Sequence, residues 1–347
     1  MKFSLLTILF ALLLTAAPSA AAQQQAGESP LERRADAEAR AVVSVCVNSG
    51  DVIVRGWDRN EVRARIEGEG TVLLLTPNVR PAPRVEVRVS EERDADLSSR
   101  RCGSQETVEL TVPRGATVEV ESQSGRVEVA DVAEARVKVF SGDVEVRRVA
   151  RAVQVSCMSG DVSVSDSAGP VRVDTVSGDV EARNLRTTSA GDNLQAKSVS
   201  GDVTIEGVAH GNVTGSATSG NLLYTGALAR GGSYDFRTIS GDVTMELPAN
   251  ASFNLHAKVV VSGEIVTDFP VKTIALTSSG VPAPPAPPTP PTPGAGGGTP
   301  PEPPAKKGPK VKVHKEHESA RLDGTVGTGD AVVNISSFSG SLHLIKR

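Results

Sequence analysis

The sequence predicts an all-β fold: a single-chain β-solenoid of stacked two-strand coils, with β-rich caps at its N- and C-terminal ends. Three observations carry this reading. A Ser-Gly-Asp-Val tetrapeptide returns at a nearly regular interval, apolar and polar residues alternate around each copy, and the apolar content comes from valine instead of aromatic residues. Phe, Tyr and Trp supply only 3% of the 347 residues, so a core must rest on Val, Leu, Ile and Ala, and β-branched side chains favour strands.

The tetrapeptide defines the unit. It occurs as Ser141-Gly142-Asp143-Val144, Ser159-Gly160-Asp161-Val162, Ser177-Gly178-Asp179-Val180, Ser200-Gly201-Asp202-Val203 and Ser240-Gly241-Asp242-Val243. An early copy stands apart at Ser49-Gly50-Asp51-Val52. Weaker copies begin at Ser124, Ser219, Ser262 and Ser339, where Arg126, Asn221, Glu264 and Ser341 take the place of Asp. From Ser124 to Ser262 successive serines are 17, 18, 18, 23, 19, 21 and 22 residues apart, a length that suits two short strands and two turns. One coil cannot hide its apolar side alone, and stacking hides it. About eight coils over this span give a rod on the order of 40 Å long.

Strand side chains switch faces with period two, so the alternation shows which residues point inward. The third and fifth positions after Ser are apolar, as in Val144 and Val146 or Val203 and Ile205. Before Ser the inward series reads Val153, Val155, Cys157 in one coil and Val171, Val173, Thr175 in the next. Tyr224 and Tyr234 also fall on inward columns, while Lys138, Glu145, Ser156 and Asp174 fall on outward ones. The residue just before Ser is apolar too, as Phe140, Met158, Val176, Val199 and Ile239, which predicts a corner where the chain turns into the core.

Within the tetrapeptide, Gly suits a left-handed turn and Asp a side chain that accepts from nearby amides. Stacked at about 4.8 Å, a column of Asp143, Asp161 and Asp179 repels by about 1 kcal/mol per adjacent pair even in water, so each carboxylate needs a partner. The next coil's Ser hydroxyl and turn amides are the expected partners, with a bound cation as the alternative. Calcium-binding β-rolls repeat Gly and Asp with a period of nine and denser glycine, which this chain does not follow.

The ends differ from the middle. Residues 1–22 read as a signal peptide: Lys2 is followed by an apolar run from Leu5 to Leu14, and Ala20, Ala21 and Ala22 supply small residues for cleavage. Residues 23–40 form a polar segment. Residues 41–123 form an N-terminal β cap, in which Val62–Ile66 and Val85–Val89 alternate as antiparallel strands should. The repeat solenoid spans 124–281. A Pro- and Gly-rich insertion at 282–309 has the composition of an extended loop with no packed core, and 310–347 hold the closing strands, with the last coil at Ser339.

An exported chain meets an oxidising compartment where disulfides persist. Of Cys46, Cys102 and Cys157, one must stay unpaired within the monomer. The expected pair is Cys46 with Cys102, both in the irregular N-terminal part, with Cys157 as a buried thiol.

Taken together, the signal peptide, the stretch Asn48-Ser49-Gly50-Asp51-Val52-Ile53-Val54-Arg55-Gly56-Trp57-Asp58 and the repeated Ser-Gly-Asp-Val closely resemble a bacterial family of adhesin-like domains without a defined biochemical function. The resemblance runs over roughly residues 40 to 347. It implies a β-solenoid and an envelope location, and the signal peptide by itself points to a mature chain in the periplasm, on the cell surface or outside the cell.

Few residues point to chemistry. A net charge of −4 with 22% charged residues holds no basic excess to attract nucleic acid, and no later apolar run is long enough to span a membrane after signal cleavage. His314 and His317 lie three apart, which on a strand puts them on opposite faces, so they read as a charged edge and not as a metal pair. No cofactor loop, zinc spacing or nucleophile elbow is present. Trp57 is the lone exposed aromatic candidate and reads as packing in the cap. No catalytic, cofactor-binding or metal-binding residue is therefore expected. The sequence reads as an exported, non-catalytic envelope protein, structural or adhesin-like, whose partner is a protein or polysaccharide. Two alternatives come from other classes: a periplasmic accessory or sensor protein of an envelope-stress system, and a polysaccharide-acting enzyme using carboxylates on an outer face.

Overall fold

A computed structural model describes residues 32–67, 70–90, 103, 106–273, 311–313 and 320–347. The signal-like start, Cys102, His314, His317 and the insertion 282–309 lie outside the described residues. Among the described residues every regular element is a strand, and the chain is a β-solenoid.

Each coil consists of a leading strand that runs up to Ser and a trailing strand that starts at the following Val. Ala152–Ser159 and Val162–Ser165 are one such pair. Leading strands pair in parallel with leading strands, Ser159 opposite Ser177 and Ser177 opposite Ser200. Trailing strands pair likewise, Val162 opposite Val180 and Val180 opposite Val203. Equivalent residues therefore sit directly above one another. Unequal intervals are absorbed away from the Ser-Gly corner: the 23-residue interval carries its extra residues in the loop between Arg183 and Asn193.

Inward columns are buried as the alternation requires, with Val144, Val146, Val162, Val164, Val180 and Ile205 at 1% exposure or less. Near the Ser219 and Ser240 coils the valine filling gives way to Tyr224, Tyr234 and Phe236, the Tyr224 ring centroid lying 5.6 Å from that of Tyr234 and 5.3 Å from that of Phe236. Gly215 stands opposite Phe236 in the next leading strand. A Cβ at Gly215 would fall 2.8 Å from the Phe236 ring, so the absent side chain makes room for the large one.

Spatial order departs from chain order at both ends. The Ser49 copy is a regular coil, its strands Glu32–Val47 and Val52–Trp57 pairing in parallel with those of the Ser124 coil. Residues from Glu32, inside the segment read as polar, already belong to this strand. On its other side lie Ala82–Ser90 and Thr107–Pro113, both parallel to it. Of the two stretches read as antiparallel, Glu61–Glu67 is antiparallel to both of its neighbours. Ala82–Ser90 is antiparallel only to Thr71–Leu75. At the far end Val332–Ser339 and Leu342–Lys346 are threaded between the Ser240 and Ser262 coils, Ser339 facing Ser240 on one side and Ser262 on the other. The coil read as last is thus next to last. Antiparallel strands Val311–Val313 and Ala320–Val326 lie beyond the Ser262 coil, covering an edge that would otherwise offer unpaired backbone groups.

One expectation about side chains is corrected. Residues just before Ser do not turn into the core: Phe140 is 60% exposed, Ile239 54% and Phe338 50%. The strand stays regular to its end, and because the residue two before Ser points inward, the residue one before it must point out.

The stack depends on glycine at the corner. A Cβ on Gly201, at φ +148°, would lie 2.1 Å from the Gly178 carbonyl oxygen, whereas one on Gly231, at φ +70°, meets nothing within 4 Å. Gly201→Ala should therefore lower stability by about 3 kcal/mol or more, while Gly231→Ala should cost about 1 kcal/mol, the left-handed backbone penalty alone. Urea melts followed by circular dichroism compare the two.

Candidate functional site at the Ser-Gly-Asp corner

The structure brings Ser141, Gly142, Asp143 and their equivalents at Ser159, Ser177, Ser200 and Ser240 into one file. Corner glycines all have positive φ, from +100° at Gly50 to +152° at Gly220. From Gly125 through Gly241 and Gly340 the glycine N–H donates to the serine carbonyl of the next coil, as Gly142 to Ser159 at 2.8 Å and Gly160 to Ser177 at 2.8 Å.

The aspartates form a second ladder. Asp143 Oδ1 accepts from the Asp161 N–H at 3.1 Å, Asp161 Oδ1 from Asp179 at 2.8 Å, and Asp179 Oδ1 from Asp202 at 2.8 Å. Where Asn221 replaces Asp, its Oδ1 accepts from Asp242 at 3.0 Å, and Asp242 in turn accepts from the threaded Ser341 at 2.7 Å. Turn amides are therefore the partners that offset repulsion along the column. Among the described residues no group of three or more His, Cys, Asp or Glu is arranged to hold a metal ion.

A third file is formed by three of the polar residues two before Ser. Ser198 donates to the Gly178 carbonyl at 3.0 Å, Thr238 to that of Gly220 at 3.1 Å and Ser337 to that of Gly241 at 3.3 Å. Cys157 occupies this file as a free thiol, 3.6 Å from the Gly142 carbonyl, and burial pushes its ionisation up. Cys46 is disulfide-bonded, and Cys102 lies outside the described residues.

Beside the corner runs an exposed apolar ridge made of Phe140, Met158, Val176, Val199, Ile239 and Phe338, ending at Val261 and interrupted once by Thr218. An open cleft of about 480 Å³ lies along its Phe140, Met158 and Val176 stretch. A second groove, about 610 Å³, lies over the leading sheet near the cap and is lined by Arg84, Arg88 and Arg136 together with Glu86 and Glu119. Arg136 pairs with Glu119 at 3.0 Å and Arg84 with the same carboxylate at 3.3 Å.

Other polar clusters are structural. Buried His210 bonds the Gly169 carbonyl at 2.9 Å. Burial works against ionisation of Asp192, but the Thr188 and Ser189 amides, at 2.6 and 2.8 Å, outweigh it and hold the carboxyl below its usual range. Trp57 is half-buried, its indole N–H donating to the Glu61 carbonyl at 2.8 Å. Sequence reasoning missed a column seven after Ser: Asp131, Arg148, Asp166 and Asn184 are left-handed, at φ 51° to 62°. Asp and Asn tolerate this conformation and Arg does not readily. The bidentate Arg148–Asp131 bond, 2.8 Å at both contacts, holds it. The signal was there, since Asp, Asn and Gly recur at that offset.

Comparison with known proteins places the chain in a family. The Toastrack DUF4097 model matches residues 42–278, more than half of the chain, and the chain belongs to that family. No curated protein matches it. Among solved structures it is similar to a candidate cell adhesion protein from Clostridium sporogenes, at 10% identity over 92% of this chain and 100% of that one, with a TM-score of 0.19. It is also similar to a candidate adhesin from Bacteroides fragilis, at 13% identity over 62% of this chain and 95% of that one, with a TM-score of 0.33.

Two outcomes follow from this geometry. Asp179→Ala should cost about 1 kcal/mol by leaving the Asp202 amide without its acceptor, whereas Asp179→Asn, which repeats what Asn221 does, should be nearly neutral; chemical denaturation separates them. Arg148 holds the Asp131 carboxyl below its ordinary range, so the stabilisation is present above the unfolded pKa of about 3.9 and is lost as pH falls through the lower folded value. Half-exposed as the pair is, Arg148→Ala should cost under about 1 kcal/mol at neutral pH, and the gap to wild type should close in acid melts.

Proposed function

We propose that this member of the Toastrack DUF4097 family is an exported, non-catalytic scaffold of the cell envelope that binds an extended macromolecule, protein or polysaccharide, along its outer faces. The observation that carries this reading is the in-register ladder. Ten levels with a Ser-Gly corner, from Gly50 to Gly263, repeat each outward position at about 4.8 Å along a rod of roughly 43 Å. A partner with repeated groups meets many weak contacts at once on such a surface, and linked contacts multiply affinity without any deep pocket.

Two further observations support it. The corner carboxylates that could have served an acid–base pair each accept a backbone amide of the next coil, which gives them a structural task. The groove of about 610 Å³ beside Arg84, Arg88 and Arg136 lies open to solvent near the cap and suits a polymer carrying both hydroxyl and acidic groups. The signal-like sequence of residues 1–22 supports export.

The test is retention of the purified mature chain on whole cells and on isolated envelope polymers. Binding should weaken roughly tenfold in Arg84→Gln/Arg136→Gln, about 1.4 kcal/mol, with the circular dichroism of the fold unchanged. Failure to bind any polymer, together with capture of one membrane protein, would replace this reading with the sensor alternative.

A further inference from the structure

We propose that the exposed apolar ridge is a self-association surface, on which two copies of the chain pair side by side and parallel about a two-fold axis running along the ridge. The ridge has no part in the ladder. Strand pairing, the corner glycines and the aspartates would all be kept with polar residues at these positions, as Thr218 shows at its own level. Soluble proteins rarely leave a contiguous apolar strip of this size uncovered.

Its extent matches what a dimer needs. The ridge spans eight levels, from Phe140 to Val261, seven spacings of about 4.8 Å. With its flanking columns it is about 34 Å by roughly 20 Å, on the order of 700 Å², close to the roughly 800 Å² per partner of a standard stable interface. The levels before it are polar, Asn48 and Gln123, so the strip is bounded.

Charge selects the occupant and its orientation. Two outward columns flank the ridge, one two residues before it and one three residues after. Lys138 and Asp143 flank Phe140, Lys197 and Asp202 flank Val199, and Arg237 and Asp242 flank Ile239. At Gln123 the order reverses, with Glu121 before and Arg126 after. A two-fold axis along the ridge sets each level against its own counterpart and exchanges the flanks. Lys197 then meets the second copy's equivalent of Asp202, and even the reversed level pairs opposite charges. An axis across the ridge would instead set the two lysine-bearing columns against each other. Met158, Thr218, Phe338 and Val261 have at most one charged flank, and Val176 alone has two like charges beside it, Asp174 and Asp179; Arg172, 2.7 Å from Asp174, offsets that repulsion within the chain. The pairing is isologous and closed, so it ends at two copies.

The proposal does not rest on the polymer-binding reading: the two surfaces meet only at Glu121 and Lys138, at one side of the groove, and Arg84, Arg88 and Arg136 lie outside the paired columns. Sedimentation of the purified mature chain should show a dimer that weakens with salt. Phe140→Asp/Ile239→Asp should raise the dissociation constant roughly thirtyfold or more while leaving the circular dichroism and melting temperature of the fold unchanged, since both side chains are exposed. Oxidised Phe140→Cys and Phe338→Cys should each cross-link to their own kind. Cross-linking only in a mixture of the two variants would overturn the parallel arrangement. A chain that stays monomeric at every concentration, whether or not it floats with lipid vesicles, would overturn self-association, and polymer retention by that monomer would leave the scaffold reading standing.

Discussion

The separation between neighbouring coils is set where one glycine passes under the next. At the nine levels from Gly125 to Gly263 the corner glycine lies so close to the carbonyl of its neighbour that a methyl group would overlap it, 2.1 Å away at Gly142 and Gly201. That approach lets the glycine amide reach the serine carbonyl of the next coil and the aspartate reach the next amide. It also fixes register: a slip of one residue would put Asp or Ser where only Gly fits, and would turn every inward valine to solvent. Specificity of the fold is thus concentrated at one corner, while the opposite side tolerates loops of different length.

The threaded ends follow from the same constraint. A coil is stable only with a neighbour on each side, and a chain that simply stopped at its last coil would leave both a terminus and an edge open. Here the Ser49 and Ser339 coils, near the two ends of the described chain, each sit one level inside the stack. Beyond these coils the stack is closed by antiparallel strands, Glu61–Glu67 and Thr71–Leu75 at one end and Ala320–Val326 and Val311–Val313 at the other. Fraying of a terminus must then break parallel pairing on both sides of its strands, which is costlier than peeling an end strand.

Much of this was legible in the sequence because the physics is local and repeated. The period, the inward valines, the need for glycine and the amide partners of the aspartates all follow from one coil and its copy. Order at the ends was not, since the tetrapeptide at Ser339 is compatible with any level and only the pairing of whole strands decides among them. The outward position of Phe140 and its equivalents was misread by giving hydrophobicity more weight than parity: the alternation places them outside, whatever their chemistry. The left-handed column at Asp131, Arg148, Asp166 and Asn184 escaped because Arg at one position masks a pattern that Asp and Asn otherwise show.

A self-templating ladder also separates what the fold requires from what it leaves open. Inward columns, corner glycines and ladder acceptors are constrained, and the residues found there vary little: mostly Val, with Ile, Leu, Ala or one aromatic layer inside, Gly at every turn, and Asp or Asn beside it except at Arg126, Glu264 and Ser341. Outward columns carry no such constraint, and those of the leading and trailing sheets vary in sign and size as solvated surfaces do. The column before Ser is different. It lies outside the ladder, faces solvent, and is nevertheless apolar at seven of its eight levels from Phe140 to Val261. Neither the core nor the corner needs apolar groups there, and water disfavours them by about 25 cal/mol for each Å² that stays exposed. A pattern that folding neither requires nor rewards has to be referred to something that covers it, and the opposite charges on the two flanks of the ridge at Phe140, Val199 and Ile239 fit a second copy of the same surface better than any featureless apolar partner.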